Sequence, residues 1–342
     1  MSDVEAQARA ASRAAELINR ARAGDGDAFK ALTEPHRREL EVHCYRMLGS
    51  LHDAEDALQD TLLSAWQNLG EFEQRASLRT WLYRIATNRC LNALRSTRRR
   101  PAKPWDIPGI EPPPPTRHGE VVWLEPFPDL RLPGGMDAQL DPEARYQQSE
   151  SISLAFVKGL QALPPRQLAV LIFRDVLGFR SNEVAALLET TVESVNSALK
   201  RARAGLQRGA AAARPPAPDA ATEEAIVDRF VRAYESADLG ALEALLTDDV
   251  FMSMPPMSLE YQGRPIVVRF SALILHSGRR FKLSRTRANG QPALALYAQG
   301  ADGRYYGSGF IVLTLRGPQI SAMTRFEKSV LDGFGLPAVL SA

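Results

Sequence analysis

The sequence predicts a multidomain protein in which two all-α domains, a helical bundle and a helix-turn-helix, precede an α+β domain. Three observations predict it. Apolar residues recur at helical steps up to about residue 100 and again from about Tyr146 to Gly209. Two proline-rich breaks interrupt that pattern: one begins PAKPWDIPGIEPPPPTRHG, and the other reads ARPPAPDAAT from Ala213 to Thr222. After one last helical stretch, Glu223 to Leu246, strand-like segments follow, among them ALALYAQ and YYGSGFIVLTL, divided by Gly, Asp-Gly and Pro turns. The expected divisions are an N-terminal extension (1–19), a helical domain (20–100), a linker (101–145), a second helical domain (146–212), a short linker (213–221) and a final domain (222–342).

Composition removes several classes of function. With 45% hydrophobic and 24% charged residues, the chain can build a core. No apolar run approaches the ~20 residues that span a bilayer, and the N-terminus alternates charge with alanine, so a cytoplasmic protein without membrane contact is expected. Cys44 and Cys90 form no CxxC pair and are expected as small buried hydrophobes. His36, His43, His52, His118 and His276 are scattered without an HExxH, so no metal or other cofactor is expected. The net charge of +2 hides segregation: Ser77 to Lys103 holds eight Lys or Arg and no acid, whereas Asp53 to Asp60 holds four acids and no base.

In the first domain, DAEDALQDTLLSAWQNL (Asp53 to Leu69) places Ala54, Leu58, Leu62, Trp66 and Leu69 on one helical face and Asp56, Asp60, Ser64 and Gln67 on another. A loop, GEFEQRAS, follows, then LRTWLYRIATNRCLNALRSTRRR. There Leu82, Ile85, Ala86, Cys90 and Ala93 face inward, leaving Arg84, Asn88, Asn92 and Arg95 as a polar stripe. Arginines at helical steps suit phosphates, asparagine suits base edges, and Phe72, Trp81 and Tyr83 offer surfaces on which an unpaired base can stack.

An acidic DAEDxxQxxxLxAW helix, a short loop and LRTWLYRIATNxxLNxLR together resemble region 2 of extracytoplasmic function (ECF) sigma factors of RNA polymerase, over about Arg20 to Arg100. The resemblance implies that Asp53, Asp56, Gln59, Asp60, Leu63 and Trp66 dock on the clamp helices of the polymerase β′ subunit. It implies that the loop from Gly70 to Ser77 captures a base flipped from the minus-10 element. Trp81, Arg84, Asn88, Arg89, Asn92 and Arg95 then bind that melted element, offsetting the few kcal/mol that flipping costs.

Residues 163 to 208 read LPPRQLAVLIFRDVLGFRSNEVAALLETTVESVNSALKRARAGLQR. A helix from Arg166 to Leu177 ends at Gly178, a second starts at Ser181 as its expected N-cap, and a third begins near Thr191 after the Glu189-Thr190 turn. On the third, Val192, Val195, Leu199, Ala202 and Leu206 pack inward. Glu193, Ser194, Asn196, Ser197, Lys200, Arg201 and Arg203 face out, polar residues first and cations later, as in a recognition helix. The segment resembles region 4 of the same family. That implies minus-35 recognition in duplex DNA through Glu193, Asn196, Ser197, Lys200, Arg201 and Arg203, and contact with the polymerase β flap.

Larger members of the family carry a further domain between these regions, and here only the linker stands there. By resemblance it threads toward the RNA exit channel; at ~3.1 Å per residue, about 40 extended residues reach more than 100 Å. From Glu223, IVDRFVRAYESADLGALEALLTDDVFMSMPP and YQGRPIVVRF resemble the SnoaL-like branch of the NTF2-like superfamily, helices packed into the mouth of a curved sheet, as in the sigma-G-like subgroup. Asp249, Glu260, His276 and Asp302 are the acid-base candidates for such a cone, each more simply a turn, cap or surface residue, so no enzyme is expected. The expected function is promoter recognition and transcription initiation, with the last domain regulating the helical part by contact within the chain. The alternatives are a helix-turn-helix regulator independent of polymerase and a SnoaL-type enzyme with a DNA-binding appendage.

Overall fold

The structure is a computed structural model and describes residues 3–74, 76–97, 100–105, 110–119, 121–133, 150–209 and 218–340. Arg75 of the 70–77 loop, the linker end and domain start at 134–149, and 213–217 of the second linker lie outside the described residues. The chain divides into two compact units, 1–99 with 131–134 and 160–207, and 100–130 with 135–159 and 208–342.

Local signals start and stop the helices of the first unit. The N-terminal stretch expected as an extension is helical from Asp3 to Arg22 (α1), and its Ile18 and Ala21 pack with Leu32, Leu69 and Phe72. Asp25 opens α2 (Gly26–Leu48) by accepting the N–H of Ala28, and Ser50 opens α3 (Leu51–Gln67) by accepting that of Asp53 (3.1 Å). These bonds satisfy donors that a first turn leaves open. Gly49 ends α2 at φ +77°, backbone that a side chain would strain. In the core between α2 and α4 (Leu78–Thr97), Cys44 and Cys90 are fully buried; burial, with a hydrogen bond to Cys44, pushes the Cys90 thiol well up.

A short helix, α5 (Leu154–Gln161), precedes α6 (Pro165–Leu171), which runs into a π-helical turn, Ile172–Val176, and stops before Gly178 at φ +72°. Then come α7 (Ser181–Leu187), a turn through Glu189 at φ +50°, and α8 (Val192–Gly209). The N-cap expectation for Ser181 is corrected: Arg180 holds that place, its N–H donating to Glu183 (2.6 Å).

In the same unit, α6 lies against α2 and α4. His43, Tyr83, Phe173 and Phe179 meet there with ring centroids 5.0 to 6.3 Å apart. Such aromatic pairs add ~0.5–1.5 kcal/mol each beyond burial. The Thr87 hydroxyl donates to Tyr83 O (2.8 Å), so His43 Nε2–H donates to Thr87 Oγ1 (2.9 Å) and Nδ1 is left buried without a partner. Burial holds the imidazole neutral, its pKa down to about 3. Burial opposes ionisation of Glu39, but hydrogen bonds from His36 and Arg79 outweigh it and hold the carboxyl at about 2.

The second unit pairs a mixed sheet with α9 (Ala220–Glu235), α10 (Leu239–Ala244) and α11 (Arg264–Leu275). The predicted helical stretch from Glu223 divides at Ala237, φ +56°. The strands are β1 (Arg117–His118), β2 (Leu246–Ser253), β3 (Leu259–Gln262), β4 (Phe281–Ala288), β5 (Gln291–Gln299), β6 (Tyr305–Arg316), β7 (Gln319–Phe326) and β8 (Val339–Leu340). They run in the order β1-β3-β2-β7-β6-β5-β4, with β8 beside β6, and β2 is parallel to β7. Irregular register at Leu296/Tyr297 and at Thr314/Leu315 bends the long strands, making a curved α+β cone. Phe230, Leu242, Val267, Phe270, Leu313 and Met323 fill it.

The described residues from 100 to 130, inside the predicted linker, run along this unit. Proline offers no amide donor, so the segment forms one two-residue strand, β1 on β3, and bonds otherwise one group at a time. Tyr261 Oη donates to Pro113 O (2.9 Å), Thr116 N–H to Glu260 O (3.0 Å) and Phe127 N–H to Asn289 Oδ1 (2.8 Å). Asp129 accepts from Gly290 N–H (2.8 Å) and Arg287. Phe127 itself is fully buried.

Candidate nucleic-acid interface

The acidic helix keeps its two faces apart. Ala54, Leu58 and Leu69 are buried, whereas Asp56, Gln59, Asp60 and Leu63 are exposed side by side, Leu63 by 54%. Asp53 is half-buried and engaged at the cap. Trp66 is half-buried, its ring edge-on to Phe29 at 5.1 Å, so it belongs mainly to the packing beneath.

On α4 the structure brings Arg84, Asn88, Arg89, Asn92 and Arg95 to one exposed face. Among the described residues Arg84 and Arg89 have no ion pair, and Arg95 donates to Asn92 Oδ1 (3.3 Å). The expected stacking trio is corrected. Tyr83 is fully buried with its hydroxyl donating to Glu39 (3.3 Å), and Phe72 is buried against Trp81, centroids 4.9 Å apart. Trp81 alone of the three stays half-exposed beside the loop. The fault lies in counting aromatics without their phase: Tyr83 adjoins Leu82 on the inward side of the helix.

All six candidates on α8 are exposed, and three have partners within the fold. Asn196 Oδ1 accepts from Ser181 Oγ (3.0 Å), the hydroxyl that does not cap. Arg203 makes a two-pronged pair with Asp175 (2.7 and 2.9 Å), the hydrogen bonds to Asp175 and then its charge holding the guanidinium pKa above the usual value. Backbone N–H and Thr191 hydroxyl donors keep the Glu193 carboxyl below its ordinary range, so a negative charge stands at the start of the helix. Ser197, Lys200 and Arg201 complete the face. Sequence reading missed Asp175 and Ser181, because both reach α8 from other helices.

The four acid-base candidates do not converge. Asp249 is exposed and paired by Arg316 (3.0 Å), Asp302 accepts from Tyr306 Oη (2.7 Å), and His276 is an exposed C-cap. Glu260 is buried, but it holds Arg117 (2.5 Å) and Lys158 (2.6 Å) away from the cone interior. Burial opposes its ionisation, and the bonds and charges of Lys158 and Arg117 prevail, holding the carboxyl below its usual range.

The chain matches the Sigma-70 region 2 family over residues 32–100 and the Sigma-70 region 4 family over residues 153–206. It is 42% identical over 319 residues to the ECF RNA polymerase sigma factor SigG of Mycobacterium tuberculosis, covering 90% of this chain and 84% of that protein. To SigW of Bacillus subtilis it is 26% identical over 56% of this chain and 93% of that one. The crystal structure of M. tuberculosis SigJ superposes with a TM-score of 0.55 at 22% identity, over 88% of this chain and 97% of that one, a likeness of fold. The region 2 match leaves no room for a helix-turn-helix regulator alone, and a sigma factor is not an enzyme. Among the described residues no helix is long and apolar enough to cross a membrane. Two regions in family order, with a relative matched along nearly the whole chain, lead to one conclusion: this protein belongs to the ECF group of RNA polymerase sigma factors and carries an α+β domain at its C-terminal side.

Proposed function

We propose that this sigma factor divides its contacts among three surfaces of its first unit, and that its C-terminal domain regulates it by holding the linker. The acidic side of α3 takes core polymerase, α4 with Trp81 takes the melted minus-10 element, and α8 takes the minus-35 duplex. The observation that carries the first assignment is Leu63, 54% exposed amid Asp56, Gln59 and Asp60. An apolar side chain at the centre of a charged rim fits a surface completed by a partner. Replacing Asp56 and Asp60 with lysine is expected to lower affinity for core polymerase at least tenfold while leaving minus-35 duplex binding intact. Unchanged polymerase affinity would remove the assignment.

The regulatory role is supported by where the linker lies. Residues 100–130 bond to the C-terminal unit through Thr116, Arg117, Phe127 and Asp129, and a chain so engaged cannot also thread the polymerase. The tether keeps such contacts effective at roughly millimolar local concentration, so weak forces suffice. Transcription with purified core enzyme compares the full chain with one ended at Arg214. Higher activity of the shortened chain supports the role; identical promoter activity and polymerase affinity refute it.

A further inference from the structure

The turn between β4 and β5 is Asn289-Gly290, with Ala288 paired to Gln291 across it. Both residues stand at positive φ, +57° and +68°, the backbone of a type I′ turn, for which asparagine and glycine are the preferred pair. Such tips ordinarily lie in solvent. Asn289 instead is fully buried, with both ends of its carboxamide engaged. Its Oδ1 accepts from Phe127 N–H (2.8 Å), and its Nδ2 donates to Ile152 O (2.7 Å) just before α5. The Asn289 N–H donates to Phe127 O (2.9 Å), and the Gly290 N–H to Asp129 Oδ1 (2.8 Å). One turn of the sheet thus grips the linker and the chain entering α5 together.

The grip depends on an amide. Asparagine carries an acceptor and a donor on one planar group, whereas an ionised carboxylate only accepts. A carboxylate at position 289 sets oxygen against the Ile152 carbonyl and adds negative charge beside Asp129, whose own carboxyl burial already pushes above its ordinary range. Arg287 is already shared between Asp129 and Glu223.

Asparagine is also a perishable residue, most of all before glycine, whose missing side chain leaves its amide nitrogen unhindered. Asn289 is the one asparagine of the chain with glycine after it. In that reaction the Gly290 nitrogen gives up its proton to water and attacks Asn289 Cγ. The bond from Cγ to Nδ2 breaks, ammonia leaves with a proton from water, and a second water opens the cyclic imide to aspartate or isoaspartate. The bonded turn resists this: the Asp129 carboxylate holds the proton on the attacking nitrogen, and two hydrogen bonds keep the carboxamide from rotating toward it. We propose that Asn289-Gly290 is a deamidation site guarded by the linker, so that release of the linker exposes it and its conversion prevents the linker from returning, a one-way latch. The guarded site stands on these contacts; its effect on transcription rests on the regulatory role proposed for the C-terminal domain.

Peptide mass spectrometry of the full chain in mildly alkaline buffer follows conversion at Asn289, with the same chain in concentrated urea as the unguarded reference. The folded parent is expected to convert at least a hundredfold more slowly than that reference. Asp129→Ala speeds conversion of the folded chain at least tenfold, and so does Phe127→Ser, which keeps the carboxylate and loosens the linker. Equal rates in the folded parent and in urea overturn the proposal, as does failure of both variants to speed conversion. Asn289→Asp, the encoded form of one product, is expected to raise transcription severalfold, and Asn289→Ala, which loses the same side-chain bonds without adding charge, is the second variant. If neither raises it while the chain ended at Arg214 is more active than the parent, the regulatory role stands and the latch falls. Guarded conversion as expected, with a shortened chain no more active than the parent, keeps the deamidation site and removes the regulatory role.

Discussion

The two helices proposed to meet DNA differ in what already holds their side chains. On α4, Arg84 and Arg89 have no ion pair among the described residues and stand in solvent. On α8, Asp175 grips Arg203 from both sides of its fork and Ser181 fixes Asn196. The first face can attract any nearby phosphate. The second arrives with its rotamers chosen, which lowers the ordering entropy of binding, but Asp175 competes with DNA for the same cation. A melted strand adapts to a helix, whereas a duplex groove must be matched, and the assignment proposed for the two faces fits that difference.

The largest expected effect comes from removing the uncommitted charge. Arg84→Ala with Arg89→Ala is expected to weaken binding to a melted minus-10 strand about a hundredfold, at ~1.5 kcal/mol per charged contact. The slope of log affinity against log salt falls by about 1.4, two phosphates at ~0.7 each on a single strand. Fluorescence anisotropy over a salt series measures both, and an unaltered slope means that α4 does not hold phosphates.

Next in size is the packing of α6 on α2 and α4. His43 is neutral in the fold, its pKa about 3 against an ordinary 6.5. Below pH 6.5 unfolding takes up a proton, so its contribution is complete above 6.5 and is lost as pH falls toward 3. The change is at most about 1.4 kcal/mol per pH unit. Glu39, held at about 2, adds acid lability only below its ordinary 4.5, outside the window from pH 6.5 to 5. Urea midpoints over that window should slope for the parent and flatten for His43→Gln; parallel slopes would show that the ring does not titrate on unfolding.

Smaller effects belong to α8. Lys200→Ala with Arg201→Ala is expected to lower affinity for minus-35 duplex roughly tenfold, with the salt slope reduced by about 1.8. Asp175→Ala carries the opposite sign: with Arg203 released, duplex binding rises a few-fold at low salt. A loss in that variant would mean that Asp175 aims the arginine and does not restrain it, reversing the contrast between the helices.

Much of this was legible in the residues. Helical spacing located α3, α4 and the helix-turn-helix, since Leu82, Ala86 and Cys90, and likewise Val195 and Ala202, recur on the buried side. The exposed stripe of α4 followed from the same phase. Contacts distant in sequence were not legible. Nothing local says that Asp175 meets Arg203, that Tyr83 turns inward to Glu39, or that the Trp105 ring faces Arg325. The linker misled in a specific way: proline content reports the absence of regular structure, not the absence of partners.

The short strand β1 does more than hold the chain in place. It covers the outer side of β3, an edge that otherwise ends the sheet with its amides and carbonyls facing solvent. Lifting Arg117 and His118 away bares a sticky seam along Leu259 to Gln262, open to self-association.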